Sequence, residues 1–163
     1  MADQAVTLAT ASSATRNIKI EQLSAEQMAH TGYTHYFRIP HDILNNASWT
    51  GQGDTVTVTL GSTPARYIVD RAAIDISTVF ANTGTLTVSL GTSANTALLI
   101  AATTAKTAGL INSSGTPANA CNGTSAATLQ ARFTTQSATG APADITGGVC
   151  DVFIRIIDVT DLS

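Results

Sequence analysis

The sequence predicts an all-β protein: a β-sandwich or jelly-roll-like domain with little helix and an extended N-terminal arm. The segment "TVTVTL" at residues 55–60 alternates hydroxyl and aliphatic side chains, which is the period of a strand with one buried face. The segment "TLTVSLG" at residues 85–91 repeats that pattern. Turn-rich segments separate seven or eight such strands, as is typical of sandwiches and jelly rolls.

The chain divides at residue 32 into an N-terminal arm, residues 1–32, and a sandwich domain, residues 33–163. The first thirteen residues, "MADQAVTLATASS", are small and polar without a helical or strand period. "NIKIEQL" alternates and predicts a short strand. "LSAEQMAHTG" predicts one or two helical turns, with Ser24 and Gln27 as a capping box and Gly32 as the stop.

The next segments predict an aromatic-rich strand, a turn and two long strands. "YTHYFRIP" is a strand ended by proline, and "HDILNNASW" begins with a short helical turn. "RYIVDRAAIDISTVF" has the β-branched content of a strand. Its alternation predicts one face with Ile68, Ala72, Ile74 and Ile76, and the other with Val69, Arg71, Ala73 and Asp75.

The C-terminal half predicts a helical turn near residues 95–102, a long surface loop at residues 110–126 and two further strands. "ATLQARFTT" alternates, and "VCDVFIRIIDV" is apolar enough on both faces to be central or covered on both sides. The residues expected to face the core are Leu86, Val88, Leu90, Leu129, Ala131, Phe133, Cys150, Val152, Ile154 and Ile156.

The charge composition argues against nucleic acid and for association with other protein surfaces. Charged residues make up 12% of the 163 residues and the net charge is -3, where soluble proteins carry roughly 25% charged residues. The eight basic residues are scattered, so we expect no direct nucleic-acid binding. Neither a signal peptide nor a membrane-spanning run is recognisable, which predicts synthesis in a cytoplasm and no membrane partner.

Residue patterns for catalysis, metals or cofactors are weak, so we expect no enzyme activity, no cofactor and no metal site. The histidines at 30, 35 and 41 match no zinc spacing. A Gly-x-Ser-x-Gly elbow and a phosphate-binding loop are missing from the sequence. As carboxylate pairs, Asp70 and Asp75 fall on opposite faces of a regular strand, and Asp158 and Asp161 lie near the C-terminus.

The two cysteines leave two interpretations open. Cys150 lies within the final strand pattern, which favours a buried free thiol. A disulfide with Cys121 is the alternative for a particle that matures outside a cell.

Four aromatic residues in the N-terminal third are candidate partner contacts: Tyr33, Tyr36, Phe37 and Trp49. Such a group is typical of a small secondary core or a subunit contact, and a sugar-binding platform is the alternative.

Two segments carry a family resemblance. "YIVDRAAIDISTVFANTGTLTVSLGTSANTALLIAA" and "TGGVCDVFIRIID" resemble segments of small structural proteins of tailed bacteriophages, namely head decoration (cement) proteins and related virion components. The resemblance covers roughly residues 66–105 and 145–159 and rests on strand and turn patterns.

The resemblance implies a structural virion protein that is synthesised in the host cytoplasm and lies on the capsid surface. It implies a homotrimer that binds the major capsid protein across capsomer junctions and stabilises an icosahedral shell, with no enzyme activity. Hydroxyl-rich strand faces would then pack against a neighbouring subunit through hydrogen bonds. The alternative function is a phage tail or fibre-tip module that binds a host-surface glycan.

Overall fold

The computed structural model describes residues 4–9, 16–22, 24, 26, 28–29, 32–45, 55–82, 84–112, 122–135 and 145–161. This part of the chain is almost entirely β-structure, which confirms the predicted fold class. Its elements are β1 (Gln4–Ala9), β2 (Arg16–Gln22), β3 (His35–Pro40), α1 (His41–Asn45), β4 (Thr55–Ser62), β5 (Tyr67–Thr78), β6 (Leu86–Thr92), β7 (Ile100–Thr104), β8 (Gly109–Asn112), β9 (Asn122–Gly123), β10 (Thr128–Thr135) and β11 (Val149–Asp158).

The strands form two antiparallel sheets. The first sheet has the order β7-β6-β10-β4, and the second has the order β3-β11-β5-β8, with β9 also paired to β5. The β1–β2 pair joins the two sheets, because β1 pairs with β4 and β2 pairs with β3. The hydrogen-bonded order of strands therefore runs from β7 at one end to β8 at the other.

The two sheets enclose one apolar core. Alternate side chains of the first sheet pack with alternate side chains of the second in a single cluster. The Phe80 and Phe133 rings, for example, lie 5.6 Å apart between centroids. The predicted inward faces are confirmed by burial of Leu86, Val88, Leu90, Leu129, Ala131, Phe133, Cys150, Val152 and Ile154, with Ile156 packed at the edge of the cluster.

The N-terminal residues contain the helical turn that the sequence predicts. The Met28 N–H donates to the Ser24 carbonyl at 2.8 Å, and the Gly32 N–H donates to the Met28 carbonyl at 2.8 Å. Gly32 ends the turn at φ 72°, in the left-handed region that favours glycine. Strands β1 and β2 lie within the predicted arm and pair with the sandwich. The division at residue 32 stays a prediction.

The predicted alternation of β5 is wrong over its first half. Ile68, expected in the core, is 42% exposed, whereas Val69, expected outside, is buried. The pairing with β11 explains this, because Arg155 lies opposite Arg71 and Ile156 lies opposite Val69, which leaves Asp70 as an extra residue. This β-bulge shifts the alternation by one position.

Two segments of the C-terminal half differ from the expectation. The helical turn predicted near residues 95–102 is a hydrogen-bonded turn at residues 92–98 that leads into strand β7. The loop predicted at residues 110–126 begins within strand β8, and the two residues of β9 lie near its end. Short strands of small residues carry little periodicity, so the pattern alone did not reveal them.

Two glycines with similar backbone angles provide a test of this packing. Gly148 has φ 137° and Gly109 has φ 142°. A Cβ at Gly148 would lie 2.9 Å from the Phe80 Cα, whereas a Cβ at Gly109 meets no atom within 4 Å. We expect Gly109→Ala to lower the free energy of unfolding by about 1–3 kcal/mol through backbone strain alone. Gly148→Ala should cost about 1–3 kcal/mol more through the collision with Phe80.

Urea unfolding of both variants at neutral pH measures the difference. Equal losses for the two variants would contradict the packing described around Phe80.

Candidate functional site

The outer face of the first sheet is a surface of hydroxyl groups, here called the hydroxyl face. Its side chains come from alternate positions of β4, β10 and β6, which pair in register. Arg132 is the charged member, and its Nη1 lies 3.5 Å from the Thr96 hydroxyl. The other members are uncharged: Thr55, Thr57, Thr59, Thr87, Gln130 and Thr134, with Ser89 buried among them.

The outer face of the second sheet combines aromatic rings with arginines, and is here called the aromatic–arginine face. The Phe153 ring lies between two tyrosines, with centroids 5.6 Å from Tyr33 and 5.2 Å from Tyr36. The Arg71 guanidinium lies 5.9 Å from the centroid of the Tyr33 ring, a cation–π distance. The face is defined by Tyr33, Tyr36, Arg71, Phe153 and Arg155.

A carboxylate at the centre of this sheet holds the face in place. Asp151 is only 4% exposed. Its Oδ1 accepts hydrogen bonds from the Tyr36 hydroxyl at 2.7 Å and from Arg38 Nε at 2.8 Å. Its Oδ2 accepts from Arg38 Nη2 at 3.0 Å and from the Ser77 hydroxyl at 2.8 Å. The carboxylate is thus satisfied by three side chains, and it fixes the positions of Tyr36 and Arg38.

The pKa of Asp151 reflects these contacts. Burial alone would raise the pKa of this carboxyl, but the hydrogen bonds from Arg38, Tyr36 and Ser77 outweigh it and hold the pKa below its usual range. The same contacts raise the pKa of Arg38. Both groups are therefore charged at neutral pH.

A second group of charges lies further along the same face. Arg155 Nη1 is 3.3 Å from the Asp70 carboxylate, and Arg71 Nε is 3.8 Å from it. Asp70 reaches both arginines because it occupies the bulge of β5. The sequence placed Asp70 and Asp75 on opposite faces because it treated β5 as a regular strand. The bulge at Asp70 makes β5 irregular, so that argument does not apply.

The predicted contact residues divide between the surface and the core. Tyr33 and Tyr36 belong to the aromatic–arginine face. Phe37 does not, because it follows Tyr36 on the strand and so points inward, where it is 2% exposed. Its prediction as a partner contact is therefore corrected: its ring stacks on His35 with centroids 6.4 Å apart. Trp49 lies outside the described residues.

The described cysteine, Cys150, and the histidine His35 are both at least partly buried in the sandwich. Cys150 is a buried free thiol, and burial raises its pKa, so it stays protonated at neutral pH. His35 is partly buried, which lowers its pKa, and its Nδ1 lies 2.7 Å from the Thr34 hydroxyl. Residues Cys121 and His30 lie outside the described part of the chain.

Two kinds of feature are absent from the described residues. No group of three or more His, Cys, Asp or Glu side chains among them has an arrangement that holds a metal ion. In the same residues, no helix has the length and apolar character needed to cross a membrane.

Sequence reasoning missed Asp151, Phe153 and Arg155 as members of this surface. The sequence did contain a signal for them. If Cys150, Val152 and Ile154 face the core, the residues between them on the strand must all point to the outer face. Comparison with protein-family models, with curated proteins and with solved structures gave no match.

The Asp151 network provides a test of what holds this face together. Asp151→Asn keeps the shape but removes the negative charge, so we expect the free energy of unfolding at pH 7 to fall by about 2 kcal/mol. Because the folded pKa is below the unfolded value of about 3.9, the charge stabilises fully above pH 5 and its contribution is lost as the pH falls through the folded pKa. The wild type and the variant should therefore converge in stability as the pH falls below the folded pKa of Asp151.

Urea unfolding at a series of pH values measures the two curves. Asp161→Asn, which changes an exposed aspartate, is the control and should leave stability at pH 7 unchanged. A constant difference between wild type and Asp151→Asn down to pH 2 would contradict the charge-based explanation.

Proposed function

We propose that the protein is a structural virion component that decorates an icosahedral bacteriophage capsid as a homotrimer. It binds the major capsid protein across capsomer junctions and stabilises the shell. The observation that carries the proposal is a β-sandwich whose aromatic–arginine face has the composition of a protein interface. Tyr, Phe and Arg are enriched in such interfaces, whereas Lys and Glu are depleted.

The arrangement of this face supports contact with a protein partner. Tyr33, Phe153 and Tyr36 form one row of rings, and Arg71 and Arg155 lie beside it. Buried aromatic and arginine anchors supply most of the binding energy in protein interfaces. Because Asp151 already fixes Tyr36 and Arg38, binding loses little side-chain entropy there.

The mechanism is mechanical. A shell under internal pressure is held by many weak contacts between capsomers, and a protein that binds across a junction adds buried area at that point. A standard protein interface buries about 1,600 Å². Three linked protomers bind more persistently than one, because each bound protomer keeps the others close to their sites.

Quantification of the protein in purified virions tests this function. A decoration protein should be present in proportion to the number of capsomers, and antibody labelling should lie on the head. A few copies per particle with label on the tail would contradict the proposal.

Binding to undecorated heads of the same phage tests which face contacts the shell. Tyr33→Ala removes a ring that contacts Phe153, and we expect it to weaken binding by about 2 kcal/mol, roughly thirtyfold. Thr57→Ala, on the hydroxyl face, is the matched variant and should bind as the wild type does. The reverse result would place the shell contact on the hydroxyl face.

The second candidate function is a tail or fibre-tip module that binds a host-surface glycan. The observation that favours it is the row of aromatic rings beside Asp70, Arg71 and Arg155, since sugar rings stack on aromatic side chains and their hydroxyls bond to charged groups. Glycan-array binding that is lost in Tyr33→Ala, together with label on the tail, would favour this function over capsid decoration.

A further inference from the structure

Two arginines lie directly opposite each other on the outer face of the second sheet, and are here called the arginine pair. Arg71 of β5 pairs in register with Arg155 of β11, and their side chains are 50% and 40% exposed. Like charges at directly opposite positions of neighbouring strands destabilise a sheet. Local conflicts of this kind are expected at functional sites, where a stability cost is tolerated for another purpose.

The arginine pair shares one carboxylate. Asp70 Oδ2 lies 3.3 Å from Arg155 Nη1 and 3.8 Å from Arg71 Nε. Within the described residues, neither guanidinium donates a hydrogen bond to a protein acceptor, whereas Arg38 donates two to Asp151. Because a guanidinium has several N–H donors in one plane, most donors of the arginine pair lack an acceptor in the described part of the chain.

The charge around the arginine pair is unbalanced. Two guanidinium groups share the single negative charge of Asp70, which leaves an excess of one positive charge in a chain of net charge -3. Asp75 on the same strand lies about 13 Å from Arg71, beyond the Debye length of roughly 10 Å at about 0.1 M salt. Asp158, at the end of β11, accepts hydrogen bonds within its own turn. One further carboxylate would balance the charge.

Apolar side chains lie on both sides of the arginine pair along β11. Phe153, Arg155 and Ile157 occupy alternate positions of this strand, so all three point to the outer face. Ile157 is 36% exposed and lies opposite Ile68, which is 42% exposed. The face therefore presents an apolar row, a cationic row and a second apolar row, which follow one another at about 7 Å along the strand.

We propose that the arginine pair binds an aspartate or glutamate side chain of a partner protein, whose apolar side chains cover the two flanking rows. A carboxylate matches the excess of one positive charge, whereas a phosphate ester carries about 1.5 to 2 negative charges at pH 7. The exposed Ile68 and Ile157 favour a protein over a glycan, because sugar hydroxyls buried against aliphatic groups lose their hydrogen bonds to water. The inference rests on the proposed function for the identity of the partner, the major capsid protein.

The flanking rows strengthen this contact. A partner that covers Phe153 and Ile157 excludes water from the arginine pair between them, and charged hydrogen bonds are stronger in such surroundings than at an exposed surface. The Tyr33 ring, 5.9 Å from the Arg71 guanidinium, restricts that side chain before binding. Less side-chain entropy is then lost when the carboxylate binds.

A peptide titration tests the carboxylate site without any phage particle. The probe is a blocked peptide of leucine, serine, glutamate, serine and leucine, and the control peptide has glutamine in place of glutamate. In the ¹⁵N-labelled full-length chain, we expect the side-chain Nε–H resonances of Arg71 and Arg155 to shift with the glutamate peptide alone. The resonance of Arg132, on the hydroxyl face, should stay in place.

Substitutions that change the local charge in opposite directions test the same site on undecorated heads of the phage. Arg71→Gln and Arg155→Gln each remove a donor group, and we expect each to weaken binding about tenfold. Asp70→Asn removes the carboxylate that competes with the partner, so it should tighten binding. Arg132→Gln removes the same charge from the hydroxyl face and should bind as the wild type does.

Urea unfolding distinguishes a binding role from a structural one. All four substituted residues are at least partly exposed. Because Arg71→Gln and Arg155→Gln relieve the repulsion between like charges, their unfolding midpoints should not fall below that of the wild type. Circular dichroism spectra that match the wild type establish that each variant folds.

The outcomes separate this inference from the proposed function. A protein that binds the glutamate peptide through the arginine pair but does not bind heads supports the carboxylate site and contradicts capsid decoration. Head binding that is unchanged in both glutamine variants, or resonance shifts that are equal for the two peptides, would overturn the inference. Binding of a uronic-acid oligosaccharide at the arginine pair in place of the peptide would also overturn it and would favour the glycan-binding function.

Discussion

Packing of two sheets against one shared apolar core is the constraint on which the rest of the structure depends. Successive side chains of a strand point to opposite faces of the sheet. When one alternate set packs in the core, the other set must therefore point outward. Burial of Val56, Val58 and Leu60 therefore places three threonines in a row on the opposite face. Burial of Cys150, Val152 and Ile154 likewise places Asp151, Phe153 and Arg155 together. The surface chemistry is a consequence of the core.

The two outer faces differ in the chemistry of their side chains. The hydroxyl face stays hydrated through neutral groups and needs few charges. The aromatic–arginine face carries rings that water solvates poorly, and it compensates with ion pairs at Asp70 and Asp151. Because Asp151 is nearly buried, its hydrogen bonds are worth more than those of an exposed pair, and Tyr36 is held against Phe153 before any partner arrives. A surface that combines ordered aromatic rings with arginines in this way has the composition of a binding surface.

The fold class and most of the core could be predicted from the sequence, because period-two alternation is strong in β4, β6, β10 and β11. The errors have physical causes. The bulge at Asp70 cannot be read from the residues of β5, since it depends on how β5 pairs with β11. The predicted helical turn near residues 95–102 extended into the first three residues of β7 because alanine and leucine favour helices, and pairing of β7 with β6 overrides that preference. Phe37 was grouped with Tyr36 by proximity in sequence, although adjacent residues of a strand point in opposite directions.

The β1–β2 pair makes the two sides of the sandwich different, because it joins the sheets on the side of β4 and β3. Without the β1–β2 pair, β4 and β3 would both end their sheets, and the threonine-valine alternation of β4 is itself an uncharged edge. With the pair in place, β4 and β3 each have a neighbour on both sides within the described residues. The aromatic–arginine face is the outer surface of the sheet that contains β3, β11 and β5. A partner that binds Tyr33 and Phe153 would therefore contact the face of a paired sheet and would need no free strand edge.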